Sequence, residues 1–419
     1  MKKIIWFGTK LTQSGGGERL SLEVIKSLSN QGYETNYLAY HYRSHNVFDG
    51  AYDNLNINAY SHKLPINKFV SPFHRRIWLY KRRFWLRKKI KEIKPDLIIT
   101  TGTWSQVSEL YLATLGMNIE YIVHIFGSLF AFPPERETTK FASIFSKNFL
   151  LIRNSVPSYK EVVPLRNPDK SIRKFISNEI NACIKYFAVR KAKEIFVLSK
   201  RNQLETQLLY KRYPLELHGA FPDRIFDHKP ALNFKNKLNL HGKKIILSVS
   251  RLSSNKRVDL CIKSFAVSAK ENSDIFLLIG GTGPEEASLK SLVKDLLIES
   301  QVKFIGYIPD NLLWDYLSIC DVFISLDLAD FDIAPLEALA LGKNVIWADE
   351  MELNDIKKLL PNSIFSVNSD INFISKCLIT AINNLDQTDS PASRKAALSY
   401  LSWENYSKVM VNKFFESNE

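Results

Sequence analysis

"KKIILSVSRLSSNKRVDLCIKSFAVSAK", residues 243–270, reads as a strand, a polar loop and a helix in one sweep. Residues 243–252 hold a short apolar run that suits a buried strand, and 258–270 carry apolar residues at helical spacing. The same pattern repeats downstream. "DIFLLIGGTGP" (274–284), "VKFIGYI" (302–308), "DVFISLDLADFD" (321–332) and "KNVIWAD" (343–349) are further strands, with helical segments between them. Strands that alternate with helices imply a parallel, doubly wound α/β sheet.

Working outward, the first half repeats the theme. "KKIIWFG" (2–8) is a strand, "TQSGGG" (12–17) a Gly-rich turn and "ERLSLEVIKSLSNQG" (18–32) a helix. In that helix Leu20, Val24, Ile25 and Leu28 fall on one face, and Gly32 stands where a stop belongs. "ETNYLAYH", "PDLIITTG", "EYIVHIFG" and "KEIFVLS" complete a second set of strands. The expected organisation is two Rossmann-like domains facing across a crevice, 1–225 and 241–395, with a polar linker near 222–240. An amphipathic helix, 396–419, ends the chain. Ligands of open α/β sheets bind outside the carboxyl ends of the strands, so functional residues belong on the loops after strands.

Composition narrows the class. With 419 residues, 45% hydrophobic and 24% charged, the chain is globular and too long for one core. No uncharged apolar run reaches the ~18–20 residues of a membrane span. "MKKIIWFGTK" is too short in its apolar part for a signal peptide. Cys183, Cys261, Cys320 and Cys377 are too far apart for a zinc knuckle or a small disulfide scaffold, and read as buried reduced thiols of a cytoplasmic protein. Charge is unevenly spread. Residues 1–250 hold 41 Lys and Arg against 19 Asp and Glu, whereas 251–419 hold 16 against 24. An anionic surface partner is therefore expected for the first half only.

Five stretches carry candidate chemistry. "SRLSSNK" puts Arg251 and Lys256 on one loop, a guanidinium and an ammonium suited to a diphosphate. "GGTGPEE" (280–286) supplies Gly280, Gly281 and Gly283, and is expected to start a helix with a Thr282/Glu285 capping box. "SGGGE" (14–18) supplies Gly15, Gly16 and Gly17 after the first strand. It is not GxGxxG, and no acid at the end of the next strand is obvious, so NAD is discounted. "HIFGS" (124–128) ends a strand with His124, and a lone histidine is more often structural than catalytic. "LADFDIAPLEALALGK" (328–343) carries Asp330, Asp332 and Glu337. Pro335 suits the start of a helix there and Gly342 its stop. Glu337 would sit in the first turn, either favoured by the helix dipole or accepting two ribose hydroxyls.

The order and spacing of "SVSRLSSNKRVDLCIKSF", "IGGTGPEEASL", "VKFIGYIPDNLLWDYLSICDVFIS" and "PLEALALGKNVI" resemble the retaining GT-B glycosyltransferases of family 4, the group 1 glycosyltransferases, across roughly 243–350. The first half resembles them more loosely, through "GGGERLSLEVIKSLSNQGYE", "KPDLIITTG", "HIFGS" and "KEIFVLSK". "SWENYSKVMVNKF" resembles the family's closing helix, which crosses back to the N-terminal domain. The resemblance implies that Arg251 and Lys256 hold the donor diphosphate. It implies further that Gly280, Gly281 and Gly283 shape the nucleotide pocket and that Glu337 binds the ribose. Gly15–Gly17 would lie against the phosphates, and His124 would touch the donor sugar. No metal and no cofactor is implied; the nucleotide sugar is substrate.

One departure stands out. The family has a Glu eight residues before the ribose Glu, followed by Gly-Phe-Gly; here that position is Ala329, and Asp330, Phe331 and Asp332 follow it, with Ile333 next. Asp330 would substitute for the missing acid with shorter reach, or Asp332 would bond a sugar hydroxyl. Transfer with retention needs a nucleophile near the anomeric carbon or a front-face path. No nucleophile stands out, so the leaving phosphate itself is expected to help deprotonate the acceptor.

The stretch 68–94 carries eleven cations and one acid, Glu92, with Ile77, Trp78, Phe84, Trp85, Ile90 and Ile93 interleaved. With the second basic cluster, 166–193, it reads as an anionic-membrane docking surface or as a solvated face whose apolar side packs inward. No nucleic-acid motif is present. The expected function is sugar transfer to a glycan or lipid-linked acceptor at the cytoplasmic face of a membrane. A nucleotide-sugar 2-epimerase and a non-catalytic GT-B partner subunit are the alternatives.

Overall fold

The computed structural model describes residues 1–12, 15–43, 52–60, 72–103, 105–127, 172–231, 233–328, 332–351 and 354–416. The chain divides into two α/β units. The first contains the described residues up to His218 together with 403–416. Its strands are β1 (Lys3–Leu11), β2 (Glu34–Tyr42), β3 (Ile57–Ala59), β4 (Leu97–Thr101), β5 (Tyr121–Ile125), β6 (Glu194–Val197) and β7 (Leu215–Glu216). Its helices are α1 (Gly16–Asn30), α2 (Pro72–Ile93), α3 (Gln106–Ala113), α4 (Ile172–Lys191) and α5 (Lys200–Tyr210). The strands form one parallel sheet in the order β3-β2-β1-β4-β5-β6-β7.

The central strands are buried on both faces, so they read as continuous apolar runs; Ile4–Phe7 and Leu97–Ile99 are enclosed. Leu20, Val24, Ile25 and Leu28 of α1 all point into this core, as their spacing predicts, and Gly32 takes a positive φ after the helix.

The second unit covers the described residues from 219 to 402. Its elements in chain order are α6 (Phe234–Lys237), β8 (Lys244–Val249), α7 (Val258–Glu271), β9 (Ile275–Gly280), α8 (Glu286–Asp295), β10 (Val302–Gly306), α9 (Asp310–Ile319), β11 (Val322–Ser325) and α10 (Ala334–Ala340). They continue with β12 (Asn344–Ala348), α11 (Asn354–Leu359), β13 (Ile364–Val367), α12 (Ile371–Asn383) and α13 (Pro391–Leu398). This sheet is also parallel, in the order β10-β9-β8-β11-β12-β13. Both sheets thus reverse direction beside their first strand, at β1/β4 and at β8/β11, which is the doubly wound pattern.

The stretch expected as a linker is instead part of the second unit. Phe221 and Ile225 are apolar anchors in an otherwise polar segment and are fully buried; Phe221 donates its N–H to the Leu401 carbonyl at 3.0 Å. The last helix, α14 (Trp403–Glu416), belongs to the first unit. Ser27 of α1 donates to the Trp403 carbonyl at 3.0 Å, Gln31 donates to Ser407 at 2.7 Å, and Met410 and Phe414 are enclosed.

The four cysteines are free thiols, but only Cys261 and Cys320 are buried; Cys183 is exposed on α4 and Cys377 is partly covered.

Candidate active site

The loop after β8 and the Gly-rich turn after β9 are laced together by backbone. Ser250 donates to Gly280 at 3.1 Å, Leu252 to Thr282 at 3.0 Å, and Glu285 back to Leu252 at 3.0 Å. This explains two of the three glycines. A Cβ on Gly281, which has φ +114°, would lie 1.8 Å from the Ser250 carbonyl oxygen; one on Gly283 would lie 2.2 Å from that of Leu252. Gly280 faces the Ile308 side chain. The glycines therefore serve close approach of two loops, each at the carboxyl end of its strand. The expected Thr282/Glu285 capping box does not form: the helix starts at Glu286, and Glu285 is its cap without a side-chain bond. The Thr282 carbonyl is taken by Leu252, which holds this segment in turn conformation.

At the β8/β11 switch point, Lys256 meets two acids. Its ammonium donates to Asp332 at 2.8 Å and makes a shorter contact with Asp327. Asp327 also accepts from Asn255 at 3.3 Å, and Asp332 from the Ser325 hydroxyl at 3.0 Å. Sequence reasoning missed Asp327, although an acid between Leu326 and Leu328 at the end of a buried strand is itself a signal. Arg251 lies on the same loop and is exposed. Asp330 and Phe331 lie outside the described residues, as does Ala329; Ile333 is the residue before α10 and its carbonyl accepts the Glu337 N–H at 3.1 Å.

Arg257 was also missed. It adopts φ +49°, a left-handed conformation that favours glycine, directly after Lys256. Its guanidinium donates to the Leu326 carbonyl at 2.5 Å, to both Glu350 oxygens at 2.9 and 3.0 Å, and to Ser369 at 2.8 Å. One buried side chain thus ties the loops after β8, β11, β12 and β13. Beside it, burial and the charge of Glu350 raise the pKa of Asp349 above the usual carboxylate value. Glu337 stands in the first turn of α10, where Pro335 and the positive φ of Gly342 bound the helix as expected. The Glu337 carboxylate is almost fully enclosed and accepts from the Trp314 indole N–H at 3.1 Å.

In the first unit, the Gly-rich turn opens α1, with Gly15 extended and Gly16 exposed. The Glu18 carboxylate occupies the space beside Gly15, where burial raises its pKa. Phe126, not His124, stands at the tip of β5 facing this turn: a Cβ on Gly17 would lie 3.0 Å from its ring. His124 is one pleat repeat further in and wholly enclosed. Its Nε2 is bonded to the Tyr406 hydroxyl of α14, its ring lies 4.7 Å from that of Phe126, and its Nδ1 has no partner among the described residues. Burial lowers its pKa to about 3, so the ring is neutral. In this structure His124 packs α14 against the sheet.

The basic helix α2 spends much of its charge internally. Arg83 holds Glu109 of α3 with bonds of 3.0 and 2.8 Å, Arg82 pairs with the same acid at 3.0 Å, and Arg87 donates to the Ala113 and Leu115 carbonyls. Burial pushes the Glu109 pKa up, but the two guanidiniums outweigh it and leave it below the usual value. Leu86 and Ile90 face inward, and Trp85 packs on Tyr40 and Tyr60. The opposite stripe stays open: Tyr80, Lys81, Phe84, Lys88 and Lys91 are exposed. On α4, Ile180 and Phe187 are exposed near Arg190 and Lys191. Residues 68–71 and 166–171 of the two basic stretches lie outside the described residues.

With this geometry in hand, the comparisons agree on a class. Residues 231–384 match the family model described as glycosyl transferases group 1. An uncharacterized glycosyltransferase of Haemophilus influenzae is 26% identical over 351 residues, covering 83% of this chain and 80% of that protein. The alpha-monoglucosyldiacylglycerol synthase of Streptococcus pneumoniae is 32% identical over 29% of this chain and 28% of its own length. Among solved structures, HepE of Anabaena in complex with UDP superposes with a TM-score of 0.69 at 13% identity, covering 99% of this chain and 100% of that one. WaaG, a glycosyltransferase involved in lipopolysaccharide biosynthesis, superposes at 0.63 with 13% identity, covering 98% of each chain. Residues 231–384 thus match the group 1 glycosyltransferases, a long relative carries a glycosyltransferase name, and the whole chain shares its fold with solved glycosyltransferases; together these support a GT-B glycosyltransferase of group 1. Among the described residues no helix is long and apolar enough to cross a membrane.

Proposed function

We propose that this glycosyltransferase moves a hexose from a nucleoside-diphosphate sugar to a lipid-linked glycan acceptor, with retention and without a metal, at the cytoplasmic face of a membrane. The observation that carries the donor half is the convergence of Lys256, Asp327 and Asp332 at the β8/β11 switch point, with Arg251 on the same loop. Cations placed there stabilise charge developing on the leaving diphosphate. The carboxylates are acceptors for hydroxyls of a neutral sugar. Glu337, one helical element further on, accepts the ribose hydroxyls.

The solved HepE complex with UDP supports a nucleotide-sugar donor, and the Streptococcus relative's name supports a lipid acceptor. The open stripe of aromatic and lysine side chains on α2, with that on α4, supports docking on an anionic leaflet, where each cation contributes roughly 1 kcal/mol. A thermal-shift screen against UDP, GDP and ADP sugars, followed by transfer assays with the sugar that binds, tests the donor half. A protein that no nucleotide sugar stabilises at millimolar concentration contradicts it. Flotation with vesicles containing phosphatidylserine tests the membrane half; Tyr80→Glu with Phe84→Glu is expected to abolish it.

A further inference from the structure

Glu337 is not held by its own helix alone. Its backbone N–H is satisfied by Ile333, but its carboxylate is oriented by a residue 23 positions earlier, Trp314 of α9, whose indole N–H donates to Oε1 at 3.1 Å. An indole N–H only donates, so this contact fixes an acceptor. It also fixes a direction, because a ring with two torsions, packed on several sides, has few rotamers. The ring is packed in that way. The Arg224 guanidinium lies 5.5 Å over it, and the His228 ring meets it edge-on at 5.5 Å and 73°. His228 is bonded to Asp315 at 3.2 Å, and Asp315 accepts the Ala231 N–H at 3.0 Å. The segment 224–231, polar in sequence, thus clamps the indole.

We propose that Trp314 is a positioning residue for the sugar nucleotide: its indole N–H turns the Glu337 carboxylate toward the two ribose hydroxyls. The proposal rests on the ribose role of Glu337 given above. It makes Arg224 and His228 supports of nucleotide recognition rather than parts of a linker.

The test compares two probes by calorimetry: whichever of UDP, GDP or ADP binds, and its 2′,3′-dideoxy form. Wild type is expected to prefer the ribonucleotide. Trp314→Phe keeps the aromatic bulk and loses the donor, and should weaken ribonucleotide binding about tenfold, the scale of one hydrogen bond to a charged group. Dideoxynucleotide binding should stay within about twofold, since a residue that acts only through Glu337 has nothing to act on there. In Glu337→Ala the preference should vanish, and adding Trp314→Phe should change nothing more.

Equal losses for both probes, or no loss, overturn the proposal. A wild type that binds both probes equally, with Glu337→Ala also neutral, overturns the ribose reading itself and is recognisable as such. If the phenylalanine variant fails to fold, Trp314→His, which keeps a ring N–H, is expected to retain the ribonucleotide preference within about threefold. A folded histidine variant without that preference overturns the proposal.

Discussion

Replacing Lys256 by Met separates its ion pairing from its proposed role at the donor diphosphate. The side chains of Lys256, Asp327 and Asp332 are 11%, 1% and 19% exposed, so removing the cation strands one carboxylate with almost no water and another with little. Breaking a buried pair by deleting one partner costs about 3–5 kcal/mol, because the remaining charge stays desolvated. For a domain of 150–250 residues that is a fall in Tm of roughly 6–20 °C. Replacing both members by apolar residues is often close to neutral. Lys256→Met with Asp327→Leu should therefore recover most of the stability while removing the ammonium proposed to hold the diphosphate. Urea and thermal denaturation read the first effect. Transfer kinetics on the double variant read the second, expected as a loss of about 10²–10³ in rate. A single variant within about 1 kcal/mol of wild type would show that the pair is solvated. A double variant with full transfer would show that Lys256 does not act on the leaving phosphate.

Three further outcomes follow from the same contacts. Asp332→Ala frees Lys256 from its second carboxylate; nucleoside-diphosphate binding should tighten several-fold by titration while kcat falls, and unchanged values for both refute a role at the donor. His124 has a folded-state pKa of about 3, below the ~6.5 of an unfolded chain. The neutral ring is favoured by folding, so stability is intact above about pH 6.5 and lost as pH falls toward 3, by about 2–3 kcal/mol at pH 4.5. His124→Gln should flatten that slope in pH-dependent melts, and an unchanged slope removes the assignment. Gly281→Ala puts a methyl 1.8 Å from the Ser250 carbonyl at φ +114°, and should cost at least about 2 kcal/mol in denaturant unfolding; a neutral result means the two loops are not in backbone contact.

What the sequence determined by itself is the class and the elements. Periodicity placed the strands and helices because buried parallel strands are unbroken apolar runs and α1 repeats every three to four residues. Motif order supplied the family resemblance, and residue types nominated Lys256 and Glu337. Tertiary structure decided what those residues touch. Only folding brings Asp327 and Asp332 onto Lys256, across gaps of 71 and 76 residues, or Glu350 onto Arg257, across 93. It also moved three readings. Gly281 and Gly283 answer to neighbouring backbone, a contact no local pattern encodes. His124 points the same way along β5 as Phe126, but one pleat repeat deeper, where Tyr406 from the far end of the chain covers it. The cations of α2 looked free because their partner, Glu109, is 26 residues away and reaches them only once α3 packs alongside. Local sequence dictates backbone conformation, while charge pairing depends on which surfaces the packed sheet brings together.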